Sequence, residues 1–292
     1  MYDRVLFPTD GSEGATAALD RVLDIVETHD ATLHVLNVAN TARDSVATIR
    51  GEVVDALERE GERIVEAAAE RARERHLSVV TDVVQGRPYE AIVDYAATFD
   101  VDLLVMPTHG RTGVERFLLG SVTERVVRTA SVPVLTLRPG RIADSSYPYR
   151  SVLLPTDGSE SATAALDQAV GLSRTHDAAL HLLSVIDVGS LGTDVRALAQ
   201  TEAIEANANE ALDDAERYAK AESVDAVSTA VVEGTSVPGS IRSYVEENDV
   251  DLLVLGTHGR TGLDRFLLGS VTEKLVRKSP VPVLTVHSPE EG

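Results

Sequence analysis

Short apolar runs alternate along the chain with longer segments whose apolar residues recur every three or four positions. Apolar runs bounded by Gly, Pro or Asp predict strands, and the recurring spacing predicts helices with one buried face. The predicted strands are 5–7, 32–38, 78–84, 101–106 and 132–137, followed by 152–154, 180–185, 226–232, 251–255 and 281–286. Alternation of strands and helices predicts parallel sheets, and uniformly apolar strands indicate that helices cover both faces.

The longest predicted helix covers 46–75 and has a charged outer face. Gly51 and Gly61 lower its helix propensity, so both are candidate ends of the helix. Shorter helices are predicted after Ser12, over 91–97 and from Val122.

The chain repeats itself. Residues 108–137 and 257–286 are identical at 22 of 30 positions, and the stretch from Arg4 to Ser12 matches that from Ser151 to Ser159. A period of about 147 residues is too long for a solenoid, so it indicates a duplicated globular domain. We expect one domain at 1–140, a linker at 141–148 and a second domain at 149–292. The predicted fold class is α/β, with two tandem doubly wound, open five-stranded parallel sheets of Rossmann-like type, related as a pseudo-two-fold pair.

Composition narrows the classes of function. The chain has no Cys and no apolar run of 18 residues, so we expect a cytoplasmic protein without membrane insertion. Forty-seven acidic residues face 27 basic ones, which gives a net charge of −20, and only three of the basic residues are Lys. This charge fits a simply acidic, well-solvated protein or one adapted to a cytosol of molar salt. Without a basic stretch, we expect no nucleic-acid partner.

Two loops follow predicted strands of the second half and carry candidate chemistry. One is Pro155-Thr-Asp-Gly-Ser159, and the other runs from Gly256 to Gly262 and leads to Gly269-Ser270 at a helix start. Glycines expose backbone N–H groups, and a helix N-terminus favours a phosphate. The second loop therefore reads as a phosphate cradle, with the Asp157 carboxylate at the same edge of the sheet.

A structural alternative remains open for both loops. Ser270 and Glu273 have the spacing of a capping box, and Asp157 with Ser159 could cap the first helix of the copy. The loops match neither a Walker motif nor the dinucleotide fingerprint.

The spacing of Gly256, Gly259, Gly269 and Ser270 resembles the diagnostic motif of the universal stress protein family, in its tandem two-domain form. The resemblance covers nearly all of both halves. Members with this motif look like ATP binders, so the resemblance implies ATP as ligand, with Mg or Mn carried by the phosphates rather than by a protein ligand cluster.

The resemblance also implies site residues. Asp157 and the backbone of Val185 would hold the adenosine end, and the Gly-rich segments would surround the ribose and phosphates. In the second copy the implied set is Pro155, Thr156, Asp157, Val185, Gly256, Gly259, Arg260, Gly269, Ser270 and Val271. In the first copy it is Pro8, Thr9, Asp10, Val38, Gly110, Arg111, Gly120, Ser121 and Val122.

The first copy departs from the motif at Pro107, which stands where the second copy has Gly256. Pro lacks an N–H, so a ligand contact through that amide would be lost, whereas a tight turn could be kept. His109 and His258 are open to a role as general acids or to a packing role. No set of nucleophile, base and acid recurs in both copies, so we assign no catalytic residue.

We therefore expect an ATP-binding cytosolic stress-response protein that acts as a nucleotide-dependent regulatory or protective module. Two alternatives are a slow ATP hydrolase or nucleotide transferase on the same fold, and a regulator of a membrane transporter. The family pairs domains edge to edge through the last strand, which implies internal pairing of 132–137 with 281–286. We also consider a homodimer of the whole chain, although no residue in the sequence indicates one.

Overall fold

Each half of the chain folds as its own unit in the computed structural model, which describes residues 1–40, 50–108, 119–144, 147–190, 195–257 and 268–288. The first unit spans Met1–Ile142 and the second Ala143–Gly292. None of the helices within these ranges is both long enough and apolar enough to cross a membrane.

Strands and helices alternate in both units, as the apolar pattern predicts. Within the described residues the first unit contains β1 Arg4–Pro8, α1 Glu13–His29, β2 Thr32–Ala39, α2 Arg50–Glu74, β3 Val79–Gln85, α3 Pro88–Thr98, β4 Leu103–Pro107, α4 Ser121–Thr129 and β5 Val134–Leu137. The second contains β6 Ser151–Pro155, α5 Glu160–His176, β7 Ala179–Asp187, α6 Val195–Ala221, β8 Val227–Gly234, α7 Val237–Glu247, β9 Leu252–Gly256, α8 Ser270–Lys278 and β10 Val283–Val286. Short 3-10 helices lie at Pro139–Asp144 and Val188–Ser190.

All strand pairs within each unit are parallel. The order is β3-β2-β1-β4-β5 in the first unit and β8-β7-β6-β9-β10 in the second. The chain thus winds outward from β1 in one direction and from β4 in the other, which is the doubly wound arrangement that the sequence predicts. The point where the winding reverses is the gap between β1 and β4, or between β6 and β9.

A carboxylate joins the amino ends of the two strands that flank this gap. Asp102 Oδ2 accepts hydrogen bonds from the backbone N–H groups of Asp3 and Arg4, both at 2.8 Å. Asp251 Oδ2 does the same for Arg150 at 2.8 Å and Ser151 at 3.2 Å. Ladder pairing of β1 with β4 covers only Val5–Leu6, so the two strands are joined near their amino ends.

Gly61 lies inside helix α2, so the interpretation that it ends the helix is wrong. The reason is close packing of α2 onto the sheet. A Cβ atom at position 61 would lie 2.7 Å from Asn37 Oδ1 and 2.8 Å from a methyl carbon of Val83. The second unit has Ala208 at the matching helix position and the shorter Ser184 at the matching strand position. Position 61 therefore requires glycine despite its low helix propensity, because the longer Asn37 side chain occupies the space that a Cβ atom would need.

One ion-pair contact between the first two helical segments of each unit has opposite charge polarity in the two units. Arg75, the residue after α2, bonds Asp24 at 2.7 Å and lies within 3.9 Å of Glu27, and it also pairs with Asp20. In the second unit the polarity is reversed, since Glu222, the residue after α6, matches Arg75 and accepts from Arg174 of α5 at 3.1 Å. These pairs lie at the surface, where each contributes on the order of 0.2–1 kcal/mol.

Two histidines, His34 and His181, lie on strands β2 and β7. Their Nδ1 atoms lie 3.0 and 3.1 Å from the hydroxyl oxygens of Tyr95 and Tyr244, which join the strands to α3 and α7. Burial lowers the pKa of both histidines. We conclude that they are packing residues that remain neutral at pH 7.

A third histidine holds the segment that leads into the second unit. His176, at the end of α5, accepts the Tyr149 N–H at its Nδ1, at 3.0 Å. The Tyr149 ring stacks on the imidazole at an interplanar angle of 8°. Burial lowers the pKa of His176 to about 4, because the charged imidazolium would lose its hydration.

The first prediction is that the neutral His176 side chain contributes to the stability of the protein and that this contribution is lost in acid. The unfolded chain takes up the proton near the ordinary pKa of 6.5, whereas the folded chain does so only near 4. The contribution is therefore complete above pH 6.5 and is lost as the pH falls toward 4. Urea unfolding at pH 7.5 and 5.0 measures it, and His176→Phe, which retains an aromatic ring but cannot titrate, should show the smaller difference. An equal difference in both proteins would contradict the assignment.

Candidate functional site

The β1–α1 turn is built in the same way in both units. Thr9 N–H donates to Leu36 O at 2.8 Å, which continues the ladder for one residue beyond β1. Asp10 Oδ1 accepts the Ser12 N–H at 3.0 Å, and Ser12 Oγ accepts the Ala15 N–H at 3.3 Å. Gly11 has a φ of 71°, which glycine adopts without strain.

In the second unit the same bonds join Thr156 to Leu183, Asp157 to Ser159 and Ser159 to Ala162. Ser12 and Ser159 are therefore helix N-caps, as the capping interpretation of Ser159 predicts. Asp10 and Asp157 stabilise the turn and place a carboxylate beside the gap between the central strands. A carboxylate there repels phosphate and accepts hydrogen bonds from amino or hydroxyl groups.

The helix after the Gly-rich loop begins differently, and the capping-box interpretation of Ser270 and Glu273 is wrong. The N-cap residues are Gly120 and Gly269, and neither helix has a side-chain cap. Glu273 instead pairs with Arg277 at 3.0 Å, one turn further along α8. The first intrahelical bond runs from the Glu273 N–H to Gly269 O at 2.9 Å. Three amides per helix thus lack an acceptor among the described residues, namely those of 121–123 and of 270–272.

Other bonds fix the position of this helix start against the strand end. Gly269 N–H donates to Thr257 O at 2.8 Å, and Gly120 N–H donates to Thr108 O at 2.7 Å. The Thr272 hydroxyl donates to Gly256 O at 2.8 Å, and the Thr123 hydroxyl donates to Pro107 O at 3.0 Å. Sequence reasoning missed both threonines, although the same Thr occurs third in the helix in both copies. Their hydroxyls hold the three amides at the carboxyl end of the central strand.

Gly256 lies at a close approach of helix α5 to strand β9. A Cβ atom there would lie 2.7 Å from the backbone C and O of Ser161 and from Ser161 Oγ. Thr257 N–H donates to Val286 O on β10, so strand alternation directs the Gly256 amide to the opposite side, toward β6. In the first unit the larger residue of the pair is on the strand, at Pro107, and the glycine is on the helix, at Gly14. The first unit accordingly has no N–H at this point.

The predicted site residues that the structure describes gather at the carboxyl edge of each sheet. Adjacent strands end there in the order β7, β6, β9, which brings together Pro155–Asp157, Val185 and Gly256, and Gly269–Val271 starts α8 beside Gly256. Leu183 O accepts from Thr156, so Val185, two residues further along β7, directs its backbone N–H and C=O to the same side, beyond the end of β6. The first unit places Pro8–Asp10, Val38 and Gly120–Val122 in the same way. The predictions for Gly110, Arg111, Gly259, Arg260, His109 and His258 fall outside the described residues.

This combination of a doubly wound sheet, a carboxylate turn and an uncapped helix start after a Gly-rich loop defines an α/β protein with one candidate ligand site per unit. Comparison with known proteins gives the family. The model of the universal stress protein family matches residues 1–138 and 148–287, and the chain belongs to this family in a tandem two-domain form.

Curated relatives match about half of the chain. A universal stress protein of Methanocaldococcus jannaschii is 32% identical over 141 residues, which are 47% of this chain and 83% of the relative. A universal stress protein of Bacillus subtilis is 28% identical over 148 residues, which are 47% of this chain and all of the relative.

A solved structure of a universal stress protein from Archaeoglobus fulgidus matches the fold along almost the whole chain. Its TM-score is 0.75 at 22% identity, and the match covers 98% of both chains. A functionally unknown protein from Pseudomonas aeruginosa has a TM-score of 0.68 at 18% identity and covers 99% of this chain and 93% of its own. The tandem arrangement of two such domains therefore has structural counterparts.

The second prediction separates capping serines from those at the uncapped helix starts. Ser159→Ala removes a cap and should lower the free energy of unfolding by about 1 kcal/mol. Ser270→Ala, the matched control, removes no capping bond and should change it by less than about 0.5 kcal/mol. Urea denaturation of both variants provides the measurement. A loss of about 1 kcal/mol or more in Ser270→Ala would restore the capping-box interpretation.

Proposed function

We propose that the chain binds ATP in each unit and acts as a nucleotide-dependent regulatory or protective module of the stress response. The observation that carries the proposal is the contrast between the two helix starts. Ser12 and Ser159 each cap one amide at the start of α1 and α5, whereas within the described residues no side chain caps the first three amides of α4 or α8. Membership of the universal stress protein family supports the same conclusion.

The chemistry of the site suits a nucleotide. Three amides at a helix N-terminus attract the phosphates through hydrogen bonds and the helix dipole. Asp157 suits the amino and hydroxyl groups of adenosine, and the Val185 backbone offers a donor and an acceptor for the edge of a base. Mg or Mn would be carried by the phosphates and would offset their charge.

We further propose that the two units pair through their last strands, β5 and β10. Each is the edge strand of its own unit's sheet, and all four residues of each are buried. An exposed apolar edge invites aggregation, and covering each edge with the other removes it.

The third prediction tests this pairing by cross-linking. Because the chain has no Cys, Thr136→Cys combined with Thr285→Cys introduces one thiol in each edge strand. Pairing predicts an intramolecular disulfide under mild oxidation. The pair Thr136→Cys and Thr229→Cys, with one thiol on β8, serves as the control that should remain reduced. Equal oxidation of both pairs would count against edge pairing.

The fourth prediction tests nucleotide binding in the full chain. A side chain in place of Gly269 would intrude between the helix start and a phosphate, so Gly269→Val should abolish binding in the second unit and leave the fold intact. Gly120→Val should do the same in the first unit. Calorimetric titration with ATP and Mg should show two sites in the unmodified chain and one in each variant.

Gly140→Val is the matched control, since a Cβ atom at Gly140 meets nothing within 4 Å and the position lies outside the site. It should keep both sites. Mass spectrometry of the purified protein identifies the nucleotide that it carries, and phosphate release during incubation with ATP measures hydrolysis. Undiminished binding by the double variant Gly120→Val and Gly269→Val would refute the phosphate cradle.

The fifth prediction follows from the net charge of −20. We propose that the source has a salt-rich cytosol, because a Debye length of about 3 Å at 1 M salt removes most of the repulsion among surface carboxylates. The melting temperature should rise steeply between 0.1 M and 3 M KCl. A flat dependence would reject salt adaptation and leave an ordinary acidic protein.

A further inference from the structure

A buried amide tethers the β1–α1 turn in the first unit. Asn37 Nδ2 donates to the Thr9 carbonyl at 2.8 Å, and the Asn37 side chain is 7% exposed. Gly61 provides the room for this side chain, because a Cβ at position 61 would lie 2.7 Å from Asn37 Oδ1. The turn that carries Asp10 is therefore joined to β2 by a side chain as well as by the ladder bond from Thr9.

In the part of the second unit that the structure describes, no side chain of β7 forms such a tether. The matching residues of this unit are Ser184 on β7 and Ala208 on α6, both buried. Within the ranges that the structure describes, no β7 side chain donates to the Thr156 carbonyl. The turn that carries Asp157 is joined to β7 by the ladder bond from Thr156 to Leu183 and contains the capping bonds of Asp157 and Ser159.

On the side of the site where the phosphates would bind, the second unit is the one with the additional hydrogen-bonding group. Gly256 directs a backbone N–H toward the gap between β6 and β9, and the close approach of Ser161 keeps this position free of a side chain. Pro107 has no N–H, and Gly14 replaces Ser161 beside it. The first unit thus has an additional side-chain bond at its carboxylate turn, and the second has one more donor near its uncapped helix start.

We propose that the two sites are specialised for opposite ends of the nucleotide, an inference that rests on the proposed nucleotide binding. The first unit draws more of its affinity from the nucleoside, because Asn37 pre-organises the turn that receives it. The second draws more from the phosphates, because the Gly256 amide adds a donor for a charged group. Asn37 is a positioning residue for Asp10, and the chain as a whole distinguishes AMP from ATP by which unit is filled.

The energetic reason is that ordering a turn before binding reduces the entropy lost on binding. The same advantage applies to AMP and ATP, since both contain adenosine. We assign the acceptor of the Gly256 amide to an oxygen of the β- or γ-phosphate, which AMP lacks, so ATP makes this bond and AMP does not. The ratio of ATP affinity to AMP affinity should therefore be larger in the second unit.

The test uses the full chain with one site silenced at a time. Gly269→Val reports on the first unit, and Gly120→Val reports on the second. Calorimetric titrations with AMP and with ATP and Mg give the affinity ratio of each unit, and we expect the ratio to be about ten-fold larger in the second unit, as one charge-assisted hydrogen bond implies. Equal ratios, or a larger one in the first unit, would overturn the proposal.

Exchange of the residue pairs assigns the effect to its cause. In the Gly269→Val chain, Asn37→Ser with Gly61→Ala imports the packing of the second unit. It should weaken AMP and ATP alike by about three- to ten-fold, the equivalent of one neutral hydrogen bond. Binding of inorganic tripolyphosphate, which lacks the nucleoside, should stay unchanged, whereas a general destabilisation of the first unit would weaken it as well. An unchanged AMP affinity, or an equal loss of tripolyphosphate affinity, would refute the positioning role.

The complementary exchange, Pro107→Gly with Gly14→Ser, restores the amide in the first unit together with the helix residue that accompanies it. It should tighten ATP about ten-fold more than AMP. If AMP and ATP tighten equally, the amide does not contact the phosphates. If the unmodified chain binds neither nucleotide, the proposed function fails together with this inference, whereas binding with equal ratios refutes this inference alone.

Discussion

The fold depends on the junction between β1 and β4 in the first sheet and between β6 and β9 in the second. At this junction the direction in which the chain winds is reversed. Asp102 and Asp251 each accept two backbone N–H groups at the amino end of the neighbouring strand. Because the amino ends are closed by this bond and by two ladder pairs, the carboxyl ends provide the edge where ligands of doubly wound sheets bind. The turn with Asp10 or Asp157 and the start of α4 or α8 both follow from these strand ends. The site thus results from the topology, and the side chains determine what it can bind.

Much of the fold could be predicted from the sequence because its signals are local. Apolar runs such as 101–106 and turn residues such as Gly11 locate strands and their ends without knowledge of the tertiary structure. Gly61 is the instructive failure, since its position inside α2 depends on Asn37, which is 24 residues away along the chain and on another element. Helix propensity describes the isolated segment, whereas this position is decided by the space between helix and sheet.

In the candidate site, too, the sequence locates some residues, whereas the roles of others are seen only in the structure. The residues at strand ends, such as Asp157 and Gly256, follow from motif spacing and from the end of an apolar run. The roles of Ser159 and Ser270 could not be separated by spacing, because both precede helices and both have suitable side chains. Only the structure shows that α5 begins with a capped amide while α8 begins at Gly269 without one. Thr272 and Asn37 were missed because their partners are backbone carbonyls, which leave no trace in a sequence.

Because the domain is duplicated, a helix could dock on the wrong copy during folding. The reversed ion pairs make such docking less favourable. Two copies of one domain in a single chain offer each helix a wrong partner that resembles the right one. If α6 docked on α1 instead of α5, Glu222 would face Asp20, Asp24 and Glu27, where Arg75 belongs. If α2 docked on α5, Arg75 would face Arg174 in place of Glu222. The exchanged charges therefore disfavour the wrong pairing by an amount on the order of 1 kcal/mol per pair, which molar salt would reduce.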